Sequence, residues 1–172
     1  MGVAISDASG PPNRHNLVPT DGEVELVTVL IVHPRPVERA ALRAVLHADD
    51  RIRVVALTGD GDRAVDLARR LRPAVTLLDD HLAAPGDGEL VRALARESRV
   101  LMLTAATERR AITALLRAPV RGCLVYGQFD AADLHGAVCA VAAGLGWLSP
   151  VAVAAASWEL RSGRAAAATQ RS

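Results

Sequence analysis

The patterning of the chain predicts an α/β architecture with a doubly wound parallel sheet. Five apolar runs rich in β-branched residues alternate with five segments of helical period, and Gly or Pro stands at most of the junctions. The runs are apolar throughout rather than on every second residue, which marks strands covered on both faces. Right-handed crossovers then favour the strand order 2-1-3-4-5 for a chain of this size.

Glu25 to Val32 (ELVTVLIV) is the first strand, ended by Pro34 and Pro36. A helix follows from Val37 to His47, with Ala40, Leu42, Val45 and Leu46 as buried candidates. Ile52 to Leu57 is the second strand, closed by the turn residues Gly59 to Asp62. Ala64 to Leu71 reads as a helix with Val65, Ala68 and Leu71 inward, and Pro73 stops it. Val75 to Leu78 is the third strand and delivers Asp79 and Asp80 at its carboxyl end. Gly86 and Gly88 punctuate a loop before a helix over Glu89 to Glu97. Val100 to Leu103 forms a fourth strand ending at Thr104, and Glu108 to Arg117 a fourth helix. Gly122 to Val125 is a short fifth strand, followed by an unusually apolar helix from Ala131 to Ala143. In such sheets ligands sit outside the carboxyl ends of the strands, a rim that holds His33, Asp79, Asp80, Thr104 and Tyr126.

Composition narrows the possibilities. The 172 residues suffice for one domain plus tails. Aromatics are only 2%, too few for a single-strand nucleic-acid platform. A formal charge of +1 gives no electrostatic case for a phosphate backbone. Every basic residue is Arg, so no step here can use a lysine ammonium, and with the abundance of Ala this points to a GC-rich genome. Cys123 and Cys139 form neither a disulfide framework nor a metal cluster, as expected of small buried side chains in a reducing cytoplasm. Residues 1–24, without an apolar signal core, are expected to form a flexible arm. A charge-free stretch from Gly136 to Trp158 is broken by Gly144, Gly146, Ser149 and Pro150, and reads as two soluble helices rather than a membrane span.

The motifs VLIV at 29–32, PAVTLLD at 73–79, DG at 87–88, VLMLTA at 100–105, RGCLV at 121–125 and AVAAGLGWLSP at 140–150 stand in one order and spacing. The chain in this respect resembles the CheY-like, flavodoxin-like receiver domain of bacterial response regulators of the NarL/LuxR type, over about Val27 to Pro150. The resemblance implies an aspartate ending the third strand that accepts phosphate from a histidine kinase. It also implies two acids after the first strand that hold Mg²⁺, a Ser/Thr after the fourth strand and a Lys after the fifth. Cation and ammonium neutralise the charge that gathers on the transferred phosphoryl group.

This sequence keeps part of that set. Asp79 falls at the phosphoacceptor position and Thr104 at the hydroxyl position, but His33 and Pro34 replace the acidic pair and Tyr126 replaces the Lys. Cys123 falls where the family carries an aromatic switch residue. Counting back from Gly88 would place Asp80 at the acceptor position; counting forward from Pro73 favours Asp79. Losing the cation-holding acids and the ammonium should cost about 10³-fold or more in phosphotransfer. The expected function is therefore a pseudo-receiver, a phosphorylation-independent regulatory domain, with a conventional receiver phosphorylated on Asp79 as the alternative. An unrelated flavodoxin-like enzyme or cofactor carrier is the third class. It is disfavoured because His33-Pro34-Arg35-Pro36 stands where a Gly-rich phosphate loop belongs and no nucleophile–base pair is evident.

No catalytic residue, cofactor or metal site is expected, since His15, His47, His81 and His135 show no ligand spacing. The apolar excess of the fifth helix, with Leu134, Val138 and Val141, suggests a homodimer through the first and fifth helices, and core packing explains it as well. Organisation is expected as an arm (1–24), a receiver-like domain (25–148), and a linker helix with tail (149–172) that includes a short helix from Val151 to Leu160. The resemblance implies DNA binding only through a separate helix-turn-helix domain, so the chain reads as a stand-alone receiver or, by a narrow preference, as the front of a longer regulator. It further implies a cytoplasmic setting. Atypical actinomycete regulators of this kind are tied to antibiotic pathways, which suggests a small ligand in the altered pocket.

Overall fold

The computed structural model describes residues 25–83 and 88–169, with side chains through residue 162. The expected arm, the Gly86–Asp87 part of the loop motif and the last three residues lie outside the described residues. Strands β1 (Val27–Val32), β2 (Ile52–Thr58), β3 (Val75–Asp79), β4 (Arg99–Thr104), β5 (Gly122–Val125) and β6 (Trp147–Leu148) form one parallel sheet in the order 2-1-3-4-5-6. Helices α1 (Pro36–Leu46), α2 (Gly61–Leu71), α3 (Glu89–Ala95), α4 (Arg109–Leu116), α5 (Ala131–Ala142) and α6 (Pro150–Thr169) connect and cover it.

The five expected strands and their order are present, and a sixth extends the sheet beyond them. β6 pairs with β5 at Gly122 and Cys123. A Cβ at Gly122 would stand 2.6 Å from the Trp147 carbonyl oxygen and 2.8 Å from Leu101 Cδ1, so glycine is what admits the added strand. All five residues of β3 (VTLLD) and all four of β5 (GCLV) are buried, which is why their sequences are mostly apolar, with Thr76 and the terminal Asp79 as the polar exceptions in β3. Successive strand residues feed opposite layers. Val29, Ile31, Leu77 and Leu101 pack beneath α1 and α5, while Leu30, Val32, Leu78 and Met102 pack beneath α2 and α3.

Several expectations are corrected. Ala40 faces solvent, and Leu71 is exposed at the end of α2, where Arg72 turns the chain into the left-handed region (φ 45°). α2 begins at Gly61, because the Asp60 carboxylate accepts from the Arg63 amide 2.7 Å away and caps the helix. Leu134, Val138 and Val141 lie fully inside the protomer's own core against the sheet, so they offer no area to a partner. The helix expected over Val151–Leu160 is longer, and its first half is no loose linker. Ala152 and Ala155 pack with Ile112, Cys123 and Val125 into a third apolar cluster between α4, α6 and β5. Arg109 stands 4.6 Å over the Trp158 ring, and Arg117 pairs with Glu159 at 2.7 Å. Among the described residues no helix is long and apolar enough to cross a membrane.

Candidate functional site

Parallel strands carry their last residues to one rim, and there the sheet brings together side chains 47 positions apart in sequence. β3, a central strand between β1 and β4, ends in Asp79, whose side chain is 1% exposed. A buried carboxylate needs partners on both oxygens, and Asp79 has them. On Oδ1 it accepts from the His81 amide at 3.0 Å, and His81 Nδ1 lies 2.8 Å away. On Oδ2 it accepts from the Tyr126 hydroxyl at 3.0 Å, and His33 Nε2 lies 3.1 Å away.

His33 follows β1 and is fully buried. Its Nδ1 accepts from the Arg35 amide at 3.1 Å, which leaves the ring proton of the neutral tautomer on Nε2, facing Asp79. That N–H is out of line with Oδ2, so the contact is a close dipole rather than an aligned hydrogen bond. The loop carrying His33 is clamped by Arg39, whose Nη1 donates to the carbonyls of His33 (2.6 Å) and Pro34 (3.0 Å). The guanidinium passes so close over Gly59 that a Cβ there would lie 2.6 Å from it. Neither Arg39 nor Gly59 carries a signal in a single sequence, since the clamp spans three elements.

The remaining residues divide. Asp80 accepts a short hydrogen bond from the Thr104 hydroxyl, so the β4 hydroxyl serves Asp80 and not Asp79. Thr104 in turn accepts from the Ala106 amide at 2.9 Å. Asp80 Oδ1 is buried without a hydrogen-bond partner and lies 3.2 Å from His81 Nδ1. Pro34 is exposed at the rim. Cys123 does not line the pocket; it sits in the α4–α6 cluster, where burial and then the Asp80 charge push its thiol up to about 11, leaving it protonated and inert at neutral pH. Burial, then the Asp79 charge, likewise pushes the Tyr126 hydroxyl well above the ordinary phenol range. His81, for which no site role is expected from its spacing, is the residue that sequence reasoning missed: it bonds Asp79 Oδ1, and Asp79, Asp80 and His81 bring one donor atom each within 4.8 Å of one another. Their adjacency in the sequence was the only signal.

No family model matches the chain. Among solved structures, a LuxR-family two-component response regulator from Aurantimonas sp. SI85-9A1 superposes with a TM-score of 0.69 at 24% identity, covering 78% of this chain and 97% of that one. The chain has the receiver-domain fold of response regulators. Over sequence, this receiver-like domain is 34% identical across 100 residues to the nitrate/nitrite response regulator protein NarP of Escherichia coli, covering 56% of this chain and 46% of that protein. It is 39% identical across 102 residues to protein-glutamate methylesterase/protein-glutamine glutaminase 3 of Myxococcus xanthus, covering 57% and 28% respectively. The chain thus spans less than half the length of these curated relatives, and no enzymatic activity carries over from the second. The receiver fold implies Mg²⁺ beside the β3 carboxylate. The donors do not fit that hard ion, because the two positions after β1 offer an imidazole already committed to Arg35 and a proline with no donor atom.

Proposed function

We propose that this receiver-like domain regulates without phosphorylation, as a pseudo-receiver of a NarL/LuxR-type cytoplasmic transcriptional regulator. The observation that carries this reading is the closure of Asp79. Its Oδ1 is bonded by His81 and its Oδ2 by Tyr126, His33 Nε2 lies against it at 3.1 Å, and its surface is closed to solvent. In-line phosphoryl transfer needs an accessible carboxylate oxygen and positive charge around the entering group. Here a neutral phenol stands where the family resemblance puts the ammonium, and an imidazole and a proline stand where it puts the two cation-holding acids. They steady the carboxylate where it is, and offer little to the trianionic transition state.

Output then comes from association. A groove of about 290 Å³ runs between α1 and α5, lined by Leu42, Val45, Phe129 and Tyr126. It joins the rim to a surface suited to a second copy of the chain, although its floor residue Leu134 belongs to the core. DNA is reached through a separate helix-turn-helix domain, and a small ligand at the altered pocket sets the dimerisation balance. The domain itself carries out no catalysis.

The direct test is incubation with acetyl phosphate, or with beryllofluoride and Mg²⁺, followed by intact-mass and ¹⁹F measurements. No adduct is expected on Asp79 or Asp80. A stable stoichiometric adduct on either would restore the conventional switch. The specific observation that would favour that second reading is the Thr104 hydroxyl already bonded to the partly exposed Asp80.

A further inference from the structure

We infer that the amino-terminal edge of the sheet, opposite the Asp79 rim, carries a binding site for a small oligophosphate, held by Arg72, Arg96, Arg99 and Arg121. This goes beyond the pseudo-receiver reading and does not rest on it. The four arginines line one open cavity of about 600 Å³ at the starts of β3, β4 and β5, and among the described residues Glu97 is the one acid in its wall. The whole chain is close to charge balance, with 20 basic against 19 acidic side chains, so this excess is local. The carboxylate does not neutralise it. Glu97 is shared, at 3.8 Å from Arg72 and 4.0 Å from Arg69 of α2, and among the described residues Arg96, Arg99 and Arg121 have no acidic partner. Like charges gathered around one concavity repel, and a bound anion turns that cost into attraction.

The backbone holds these side chains at fixed places. Arg99 opens β4 and its amide donates to the Ala74 carbonyl at 3.3 Å, while the Arg121 amide, just before β5, donates to the Val100 carbonyl at 2.7 Å. Two neighbouring strands, about 5 Å apart, thus each carry a guanidinium to the same edge. Arg72 ends α2 at φ 45°, a left-handed position that glycine usually takes, and it is the one non-glycine residue there among those described. An arginine kept at this costly position adds a third guanidinium to the cavity wall. Guanidinium forks bind phosphate oxygens in pairs, and four of them around one cavity suit two or three linked phosphates better than a single one. Pro73, Ala74, Ala95 and Pro119 complete the wall without an aromatic face, so a nucleic-acid strand gains no stacking here.

Calorimetric titration of the full chain at about 0.15 M salt, without divalent metal, tests this with tripolyphosphate, inorganic phosphate and ATP as probes. One tripolyphosphate per chain is expected, at least about 10-fold tighter than inorganic phosphate. Arg99→Gln and Arg121→Gln, both at exposed side chains, should each weaken tripolyphosphate by about 5-fold or more, with unchanged circular dichroism. Arg110→Gln, at an exposed arginine of α4 outside this cavity, should leave the affinity within about 2-fold. ATP bound as tightly as tripolyphosphate points to a nucleotide-borne chain, and ATP excluded from the site points to free oligophosphate; either supports the site. No tripolyphosphate binding, equal affinity for inorganic phosphate, unchanged affinity in the Arg99–Arg121 double variant, or an equal loss in Arg110→Gln would each overturn the inference. Such a result leaves phosphorylation independence standing, since that reading turns on Asp79 at the other rim.

Discussion

Tyr126 concentrates the logic of the rim in one hydroxyl. It is the only tyrosine in the chain, so its ionisation can be followed without interference. Burial and the neighbouring Asp79 charge favour the neutral phenol in the fold. The folded state therefore holds this proton more tightly than the unfolded state. The stabilisation is fully present below the unfolded phenol value of about 10 and is lost as pH rises above it. Tyrosinate absorbance near 295 nm is expected to appear only together with loss of the circular dichroism signal. A free titration near pH 10 in the folded protein would contradict the buried contact. Tyr126→Phe leaves Asp79 Oδ2 without its one aligned donor and should lower stability by about 1–3 kcal/mol in urea titration. The sequence, through the end of its fifth strand, places Tyr126 at the rim, but the bond to Asp79 is a distance that no single chain reveals. His81 was illegible for another reason: its contacts with Asp79 and Asp80 are made within one turn, and histidine spacing does not register such neighbours.

At the scale of elements, legibility followed burial. β1, β3, β4 and β5 announce themselves because both faces are largely covered and their inner residues are mostly apolar. β6 did not, since a two-residue strand carries no period. Its existence depends on Gly122 in the neighbouring strand. Gly122→Ala should cost about 1–3 kcal/mol by pushing Trp147 and Leu101 away, and hydrogen exchange should show β6 opening before β4. Protection of β6 equal to that of wild type would remove the steric explanation. α5 misled for a related reason. A helix apolar on more than one face does not disclose which face meets its own sheet, and Leu134, Val138 and Val141 proved to be that face. α6 was foreseen as a helix but not as a packed one. Its alanines at 152 and 155 read as low complexity until seen against Ile112 and Cys123.

For the whole molecule the expected assembly is a homodimer through the α1–α5 groove. Sedimentation at micromolar concentration should show dimer, and Phe129→Glu, at a half-buried lining position, should return monomer at unchanged secondary structure. A wild-type chain that stays monomeric counts against this route of output. The contacts of Asp79 also join β1, β3 and β5 at one end of the sheet, so His33, Asp79 and Tyr126 act as a brace across three strands. Such a brace makes position 33 sensitive to single substitutions. Restoring an acid at position 33 while Asp79 stays enclosed sets two carboxylates face to face out of water. His33→Asp is thus expected to lose about 3–5 kcal/mol at pH 7 and regain some of it in acid, rather than recover a switch. An acid at position 33 would need the whole rim around Asp79 to open with it, because the three strand ends are tied through that one carboxylate.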